Sequence, residues 1–360
     1  MKIIVFAGGV GTRLWPLSRK NTPKQFEKII GERSTLQEAV FRLQPTFKPD
    51  EIIVATGIRY KDIVERQLPE LPKENFLYEP EMRDVGPAIG MATMILNKMD
   101  PDEPMAIIWS DHMVKNVEAF QKALELAKEK VLDSTAKFIF IGQKPRFANQ
   151  NIGWIHCGDK VEEENNIALY KFKKLKYRPK LSQAEDFFKD ESYVWNFGYF
   201  VTTPRFLSEL YEVYVPEMYA KLSKIQSAYD TPSFEETVAK IYPTLEKLSF
   251  DDAILEKLTP KNIYVISVDV GWSDIGAWEA LKEALSTSSD ENVTKGKVMV
   301  EDSKDTLVFN YTNQLLVGID LSEMLVIATD DVVLVCPKTA VPKIKKLVES
   351  LSGTENEHLT

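Results

Sequence analysis

Three glycines within four positions, Gly8, Gly9 and Gly11, are followed by Thr12 and Arg13 and, a little further on, by Lys24. Glycine lets backbone come close to a ligand because no Cβ stands in the way. Successive N–H groups in such a turn make a concave anion trap. With two cations just behind it, the stretch that begins at Ala7 reads as a phosphate-binding loop. It is not a P-loop, because Gly11 is followed by Thr12-Arg13 rather than Lys-Ser/Thr. Nor is it the dinucleotide fingerprint, since Leu14 stands where a third glycine belongs. A glycine-rich turn without a ligand is the plain alternative. The second loaded position is Asp111, in Trp109-Ser110-Asp111-His112. A carboxylate just past a buried strand can hold a magnesium ion that bridges phosphates; its plain alternative is a helix or loop cap.

These residues need a frame that brings strand ends together. Apolar runs at 2–6, 51–55, 76–78, 105–109, 137–141 and 263–267 predict buried strands. Helical spacing at 35–43, 60–68, 86–96 and 118–131 predicts helices between them. Alternation of this kind implies βαβ units and a doubly wound, mostly parallel α/β sheet, with ligands beyond the carboxyl ends of its strands. The polar stretch 286–292 marks a boundary, giving a catalytic domain over 1–286 and a small β domain over 287–360. In the latter, short β-rich runs recur at roughly ten-residue spacing before a final helix at 341–351. The lysines of that helix, Lys343, Lys345 and Lys346, read as a solvated face.

Composition narrows the classes. The 360-residue chain carries a net charge of −9, so nucleic acid is not an expected partner. Two cysteines, Cys157 and Cys336, without pair spacing suit a reducing compartment. Three scattered histidines make no zinc constellation. No apolar stretch has the length of a membrane span, and the short one at the amino terminus is no signal sequence. The expectation is a cytoplasmic protein with no membrane partner, and a homodimer is left open.

The run Phe6-Ala7-Gly8-Gly9-Val10-Gly11-Thr12-Arg13-Leu14-Trp15-Pro16-Leu17-Ser18, with Pro23-Lys24-Gln25-Phe26, resembles the signature of the mannose-1-phosphate guanylyltransferases, a family of sugar-phosphate nucleotidylyltransferases. Asp269-Val270-Gly271-Trp272-Ser273-Asp274-Ile275-Gly276-Ala277-Trp278 is similar to that family's Asp-Phe-Gly-Trp-Ser-Asp-Val-Gly-Ser-Trp, and Ser249 to Lys257 to its Ser-Ile-Asp-Tyr-Ala-Val-Met-Glu-Lys. The segment Tyr78 to Ala88 is similar to the element that surrounds the base, with Asp84, Val85 and Gly86 in place of Asn, Thr and Ala. On the sugar side, Asn151-Ile152-Gly153-Trp154-Ile155 and Val194-Trp195-Asn196-Phe197-Gly198-Tyr199-Phe200 resemble family elements. There Tyr177-Arg178-Pro179 replaces Glu-Lys-Pro.

The resemblance implies transfer of GMP from GTP to mannose 1-phosphate, yielding GDP-mannose and pyrophosphate with Mg2+ as cofactor. It implies that Asp111 and Asp274 hold the metal, Arg13 the triphosphate, and Lys24 the charge between the reacting phosphates. Glu79, Pro80, Arg83, Pro87 and Ala88, with Ala7, Gly8, Gly9, Gly11 and Thr12, would bind the nucleotide. Gly153, Tyr177, Arg178, Asn196 and Asp274 would bind the sugar phosphate. A related transferase with another base or hexose, or a silent GDP-mannose-binding subunit, is the alternative.

Overall fold

The apolar run that opens the chain forms strand β1, Lys2–Phe6, and it is flanked on both sides by parallel strands as buried as itself. In the computed structural model, which describes residues 1–9 and 11–360, the chain packs as two units. The first comprises Met1–Ala7, Val40–Trp109 and Val114–Trp272; the second comprises Gly8–Ala39, Ser110–Met113 and Ser273–Thr360. This division differs from the 1–286 and 287–360 reading. Its cause lies in the second unit's core, where Leu14, Trp15 and Ile29 are buried with Ile275, Trp278, Leu307, Phe309 and Leu325. A loop near the amino terminus thus finds its apolar partners near the carboxyl terminus, which no local pattern reveals.

The first unit is built on a nine-stranded sheet. Its strands are β1, β2 (Ile52–Gly57), β3 (Phe76–Glu79), β4 (Met105–Trp109), β6 (Phe138–Gln143), β7 (Gly153–Glu164), β8 (Ile167–Tyr177), β9 (Tyr193–Thr202) and β10 (Ile263–Val268), with β5 (His112–Met113) falling in the other unit. The order is β3-β2-β1-β4-β9-β6-β10-β8-β7. The expected mostly parallel, doubly wound sheet is corrected here to a mixed one. β1 pairs in parallel with β2 and β4, as do β2 with β3 and β6 with β10; β9 runs antiparallel to β4, β6 and β7, and β8 antiparallel to β7 and β10. β7 and β8 escape an apolar-run reading because nine of their 23 residues are exposed and charged, among them Lys160, Glu162, Lys171 and Lys173. Their tight turn is legible in retrospect: Asn165 and Asn166 both take left-handed backbone, which asparagine tolerates best after glycine.

Helices α1 (Thr35–Phe41), α2 (Lys61–Gln67), α3 (Val85–Met99) and α4 (Val117–Leu132) fall within a few residues of their expected places. α3 is buried along most of its length and packs on helices Pro204–Tyr214 and Pro216–Ala228. No helix among the described residues is long and apolar enough to cross a membrane.

The second unit holds β5 paired with β11 (Ser273–Asp274), then β12 (Val293–Lys295), β13 (Val298–Glu301), β14 (Leu307–Asn310), β15 (Leu316–Ile319), β16 (Met324–Ala328) and β17 (Val333–Pro337). β12, β14 and β16 stack in parallel, β13 and β15 form a second parallel pair, and β17 closes the first ladder antiparallel to β16. The last helix, Val341–Leu351, buries Val341, Ile344 and Val348 and leaves its three lysines exposed.

Candidate active site

The glycine loop leaves β1, and Asp111 follows β4; these strands run side by side with Phe6 opposite Trp109. Within the second unit the loop is fixed by its own contacts. Gly9 and Gly11 take left-handed φ of 94° and 64°, which disfavours any residue bearing a Cβ. Gln25 donates from Nε2 to the Gly9 carbonyl at 3.1 Å, and the Lys24 amide donates to Ser18 Oγ at 2.9 Å. A Cβ on Gly11 would lie 2.8 Å from Cγ of Lys24, so this glycine also makes room for the lysine stem. At Gly8 the φ is not left-handed, and a Cβ would meet no atom of the other described residues within 4 Å. Val10 lies outside the described residues.

Lys24 is 7% exposed, and its Nζ reaches Oδ2 of Asp111 at 2.7 Å. Burial alone would pull its ammonium down, but the carboxylates of Asp111 and Asp274 outweigh that and the group ends above the usual lysine value. Burial likewise opposes ionisation of Asp111; Lys24, and His112 with Nε2 at 4.0 Å, overcome it and hold this carboxyl well below the ordinary range. The β5–β11 ribbon explains why Asp274 is near: it stands opposite His112, the next residue after Asp111. Arg13 joins the group from the loop, its Nη2 and both Asp274 carboxylate oxygens converging beside Gly276. The four residues assigned to phosphate and metal chemistry are therefore all in the second unit.

The donors fit a hard divalent cation. Among the described residues no group of three or more His, Cys, Asp or Glu forms a cage. Magnesium instead commonly takes one or two carboxylates and fills its remaining positions with substrate phosphates and water. Asp111 and Asp274 supply such a pair, with the Lys24 ammonium as the cation now set against them.

Apart from Ala7 and Thr12, which flank the loop glycines, the remaining residues expected at the site lie in the first unit and fall into two groups. At the end of β3, Glu79 accepts a hydrogen bond from the Tyr242 hydroxyl, and burial pushes its carboxyl up to about 7 against that bond's pull. Pro80 follows Glu79, and Arg83 donates from Nη2 to Glu81 at 2.7 Å. Arg83 Nε is buried with no hydrogen-bond partner among the described residues. Asp84 caps α3 from a strained backbone position, φ 69° and ψ 177°. Pro87 and Ala88 are buried in the first turns of α3, Ala88 within the main core. The departure at Gly86 has a packing reason, since a Cβ there would stand 2.5 Å from the Leu248 carbonyl oxygen.

On the sugar side, Gly153 pairs with Asn196 across β7 and β9, and a Cβ on Gly153 would lie 3.1 Å from that of Asn196. Asn196 donates to Asp251 at 3.4 Å and accepts from the Gly198 amide at 3.1 Å. Arg178 takes φ 45° and stays exposed, its guanidinium 4.9 Å from the centre of the Tyr177 ring. Two carboxylates here were assigned no role in the sequence reading. Glu256 accepts from the Tyr177 amide at 2.7 Å and from Lys176 at 3.1 Å. Asp251 is pushed up to about 6 by burial and then by Asp252, with Arg178 pulling the other way. Both lie in the Ser249–Lys257 motif, so the signal was present; their role was not, because only the fold sets them beside Asn196 and Tyr177.

Residues 2–291 match the family model described as nucleotidyl transferase. The chain is 29% identical to a mannose-1-phosphate guanylyltransferase of Escherichia coli, over 97% of this chain and 75% of that protein. It is 32% identical to the alginate biosynthesis protein AlgA of Pseudomonas putida, over 97% and 71%. Among solved structures, a protein described as a mannose-1-phosphate geranyltransferase from Thermus thermophilus superposes with a TM-score of 0.85 at 25% identity, covering 98% of this chain and 99% of that one.

Proposed function

Given that the chain belongs to the nucleotidyl transferase family, we propose that it transfers GMP from GTP to mannose 1-phosphate and releases pyrophosphate. The observation that carries the reading is the cluster of Arg13, Lys24, Asp111 and Asp274 around a loop whose Gly8, among the described residues, has no conformational or packing need to be glycine. Close approach of a ligand supplies that need. The relatives named mannose-1-phosphate guanylyltransferase support the choice of base and sugar.

A phosphate oxygen of mannose 1-phosphate attacks the α-phosphorus of GTP. A new P–O bond forms, and the bond from the α-phosphorus to the bridging oxygen breaks with its electron pair leaving on pyrophosphate. The attacking phosphate is already anionic at neutral pH, so no side chain has to remove a proton. Catalysis rests on positioning and charge stabilisation. Lys24, kept cationic by two carboxylates, neutralises charge between the reacting phosphates. Arg13 and the loop amides hold the triphosphate. Asp111 and Asp274 would hold Mg2+, which supplies further charge neutralisation at the phosphates. Arg178 anchors the sugar phosphate, and Asn196, with Asp251 behind it, holds the ring. Glu79 and Arg83 face the base.

Pyrophosphate release measured across a matrix of nucleoside triphosphates and hexose 1-phosphates tests this. GTP with mannose 1-phosphate is expected to give the highest kcat/KM. Another pair exceeding it tenfold, or GDP-mannose binding with no turnover of any pair, overturns the assignment.

A further inference from the structure

Gly276 is glycine for a reason that neither its backbone nor its packing supplies. Its φ lies outside the left-handed region, so any residue can adopt its conformation. The three atoms nearest to a Cβ there are the ends of two charged side chains: Asp274 Oδ1 at 2.8 Å and Oδ2 at 3.2 Å, and Arg13 Nη2 at 3.2 Å. Gly296, in the same unit, is the opposite case. It has φ +84°, and a Cβ would overlap the Asn310 carbonyl oxygen, so the fold itself requires that glycine.

The backbone at 276 has no freedom to withdraw. Ile275 and Ala277 on either side are buried in the second unit's core, and Trp278 is fully buried with its indole N–H donating to the Trp15 carbonyl at 2.9 Å. An added methyl must therefore displace Arg13 and Asp274. Among the described residues, neither of those side chains closes an ion pair or a side-chain hydrogen bond of its own. A cation and an anion thus flank a small slot without collapsing into each other.

We infer that Gly276 is a positioning residue: its missing side chain keeps open the slot between Arg13 and Asp274 that a polyphosphate oxygen of the nucleotide enters on the Arg13 side. The inference rests on the nucleotidyl transfer reading above, but part of its test does not. Without metal, as in the binding test below, the guanidinium takes the anionic oxygen and the Asp274 carboxylate turns it toward the Arg13 side.

The experiment compares wild type, Gly276→Ala and the control Gly31→Ala, which adds a methyl in open space in the same unit. Thermal unfolding of Gly276→Ala is expected within about 2 °C of wild type, since only side-chain ends must move. Binding of GTP and of inorganic pyrophosphate, measured by calorimetry in EDTA, is expected to weaken at least tenfold. In turnover, KM for GTP rises or kcat falls by at least tenfold, while KM for mannose 1-phosphate stays within about twofold. Gly31→Ala is expected to match wild type throughout. Wild-type pyrophosphate affinity in Gly276→Ala overturns the inference. So does a large loss of thermal stability with unchanged affinity per folded molecule, which would make the glycine structural, and so does a wild type that binds neither probe. Failure of the nucleotidyl transfer reading looks different: no turnover by wild type, with the pyrophosphate contrast intact.

Discussion

In the second unit, Lys24 and Asp111 meet at 2.7 Å with the lysine almost wholly buried, and each fixes the other's ionisation. In the first unit, Arg178 stays exposed on a left-handed backbone, and nearby Asp251 is only partly countered, its carboxyl pushed up to about 6. One region is pre-charged and locked; the other holds its charges loosely and leaves one of them close to titration. In the proposed reaction phosphate chemistry is common to every substrate pair, and groups fixed in advance suit it. In the same proposal the first unit's groups recognise the hexose and complete their partners when the sugar arrives.

The largest effect expected from that contrast falls on the locked cluster. Lys24→Ala and Asp111→Asn are each expected to lower kcat by roughly 10²-fold or more, through loss of charge stabilisation at the phosphates. Lys24→Ala also leaves a carboxylate without its cation, and thermal or urea unfolding is expected to show a loss on the order of 1–3 kcal/mol. Asp274→Asn, in a position without such a pair, is expected to lower kcat comparably with little change in stability. Near-normal kcat in Asp111→Asn at working magnesium concentration removes the metal role and breaks the comparison.

A smaller effect, about tenfold, is expected from Asp251→Asn on KM for the sugar phosphate, with KM for GTP unchanged. The sign of its pH dependence is fixed. Burial raises this carboxyl above its unfolded value, so the stability it contributes is present at low pH and is lost as pH rises from about 4 through about 6. In activity the ionised form is the better acceptor for the Asn196 amide that holds the ring, so KM for the sugar phosphate is expected to rise as pH falls through about 6. Asp251→Asn flattens both profiles; a wild type with pH-independent KM between 5 and 7.5 contradicts the loose-charge picture.

The smallest effect sharpens the comparison at Arg178. A non-glycine residue in this backbone region carries a cost of about 1 kcal/mol. Arg178→Gly is therefore expected to leave stability unchanged or raise it by up to about 1 kcal/mol, while KM for the sugar phosphate rises severalfold. A variant that is both less stable and kinetically normal would make Arg178 a structural residue.

Much of this was legible along the chain. The strands β1, β2, β4, β6 and β10 are apolar runs bounded by polar or glycine-rich segments, and burial on both faces leaves them little other composition. Gly8, Gly9, Gly11, Arg13 and Lys24 announce anion binding because they lie within one loop and its sequel, where spacing in sequence is nearly spacing in space. The antiparallel insertion of β9, and the β7–β8 hairpin at the sheet's edge, were not legible, since strand order depends on pairings between residues far apart in sequence.

Which residues carry charge and where backbone can approach an anion can be read along the chain, because residue type and local conformation are properties of short segments. That Asp274 stands opposite His112, and that Trp15 shares a core with Trp278 and Phe309, follows from the fold alone. It alone separated a glycine required by the fold, such as Gly86, from Gly276, whose missing Cβ would lie nearest to the ends of Arg13 and Asp274. Those distinctions depend on what lies within a few ångströms, and the atoms that lie there come from segments up to some 260 residues away in the chain, as with Arg13 and Gly276. Van der Waals repulsion and ion pairing act at that short range, and the fold sets which atoms come within it.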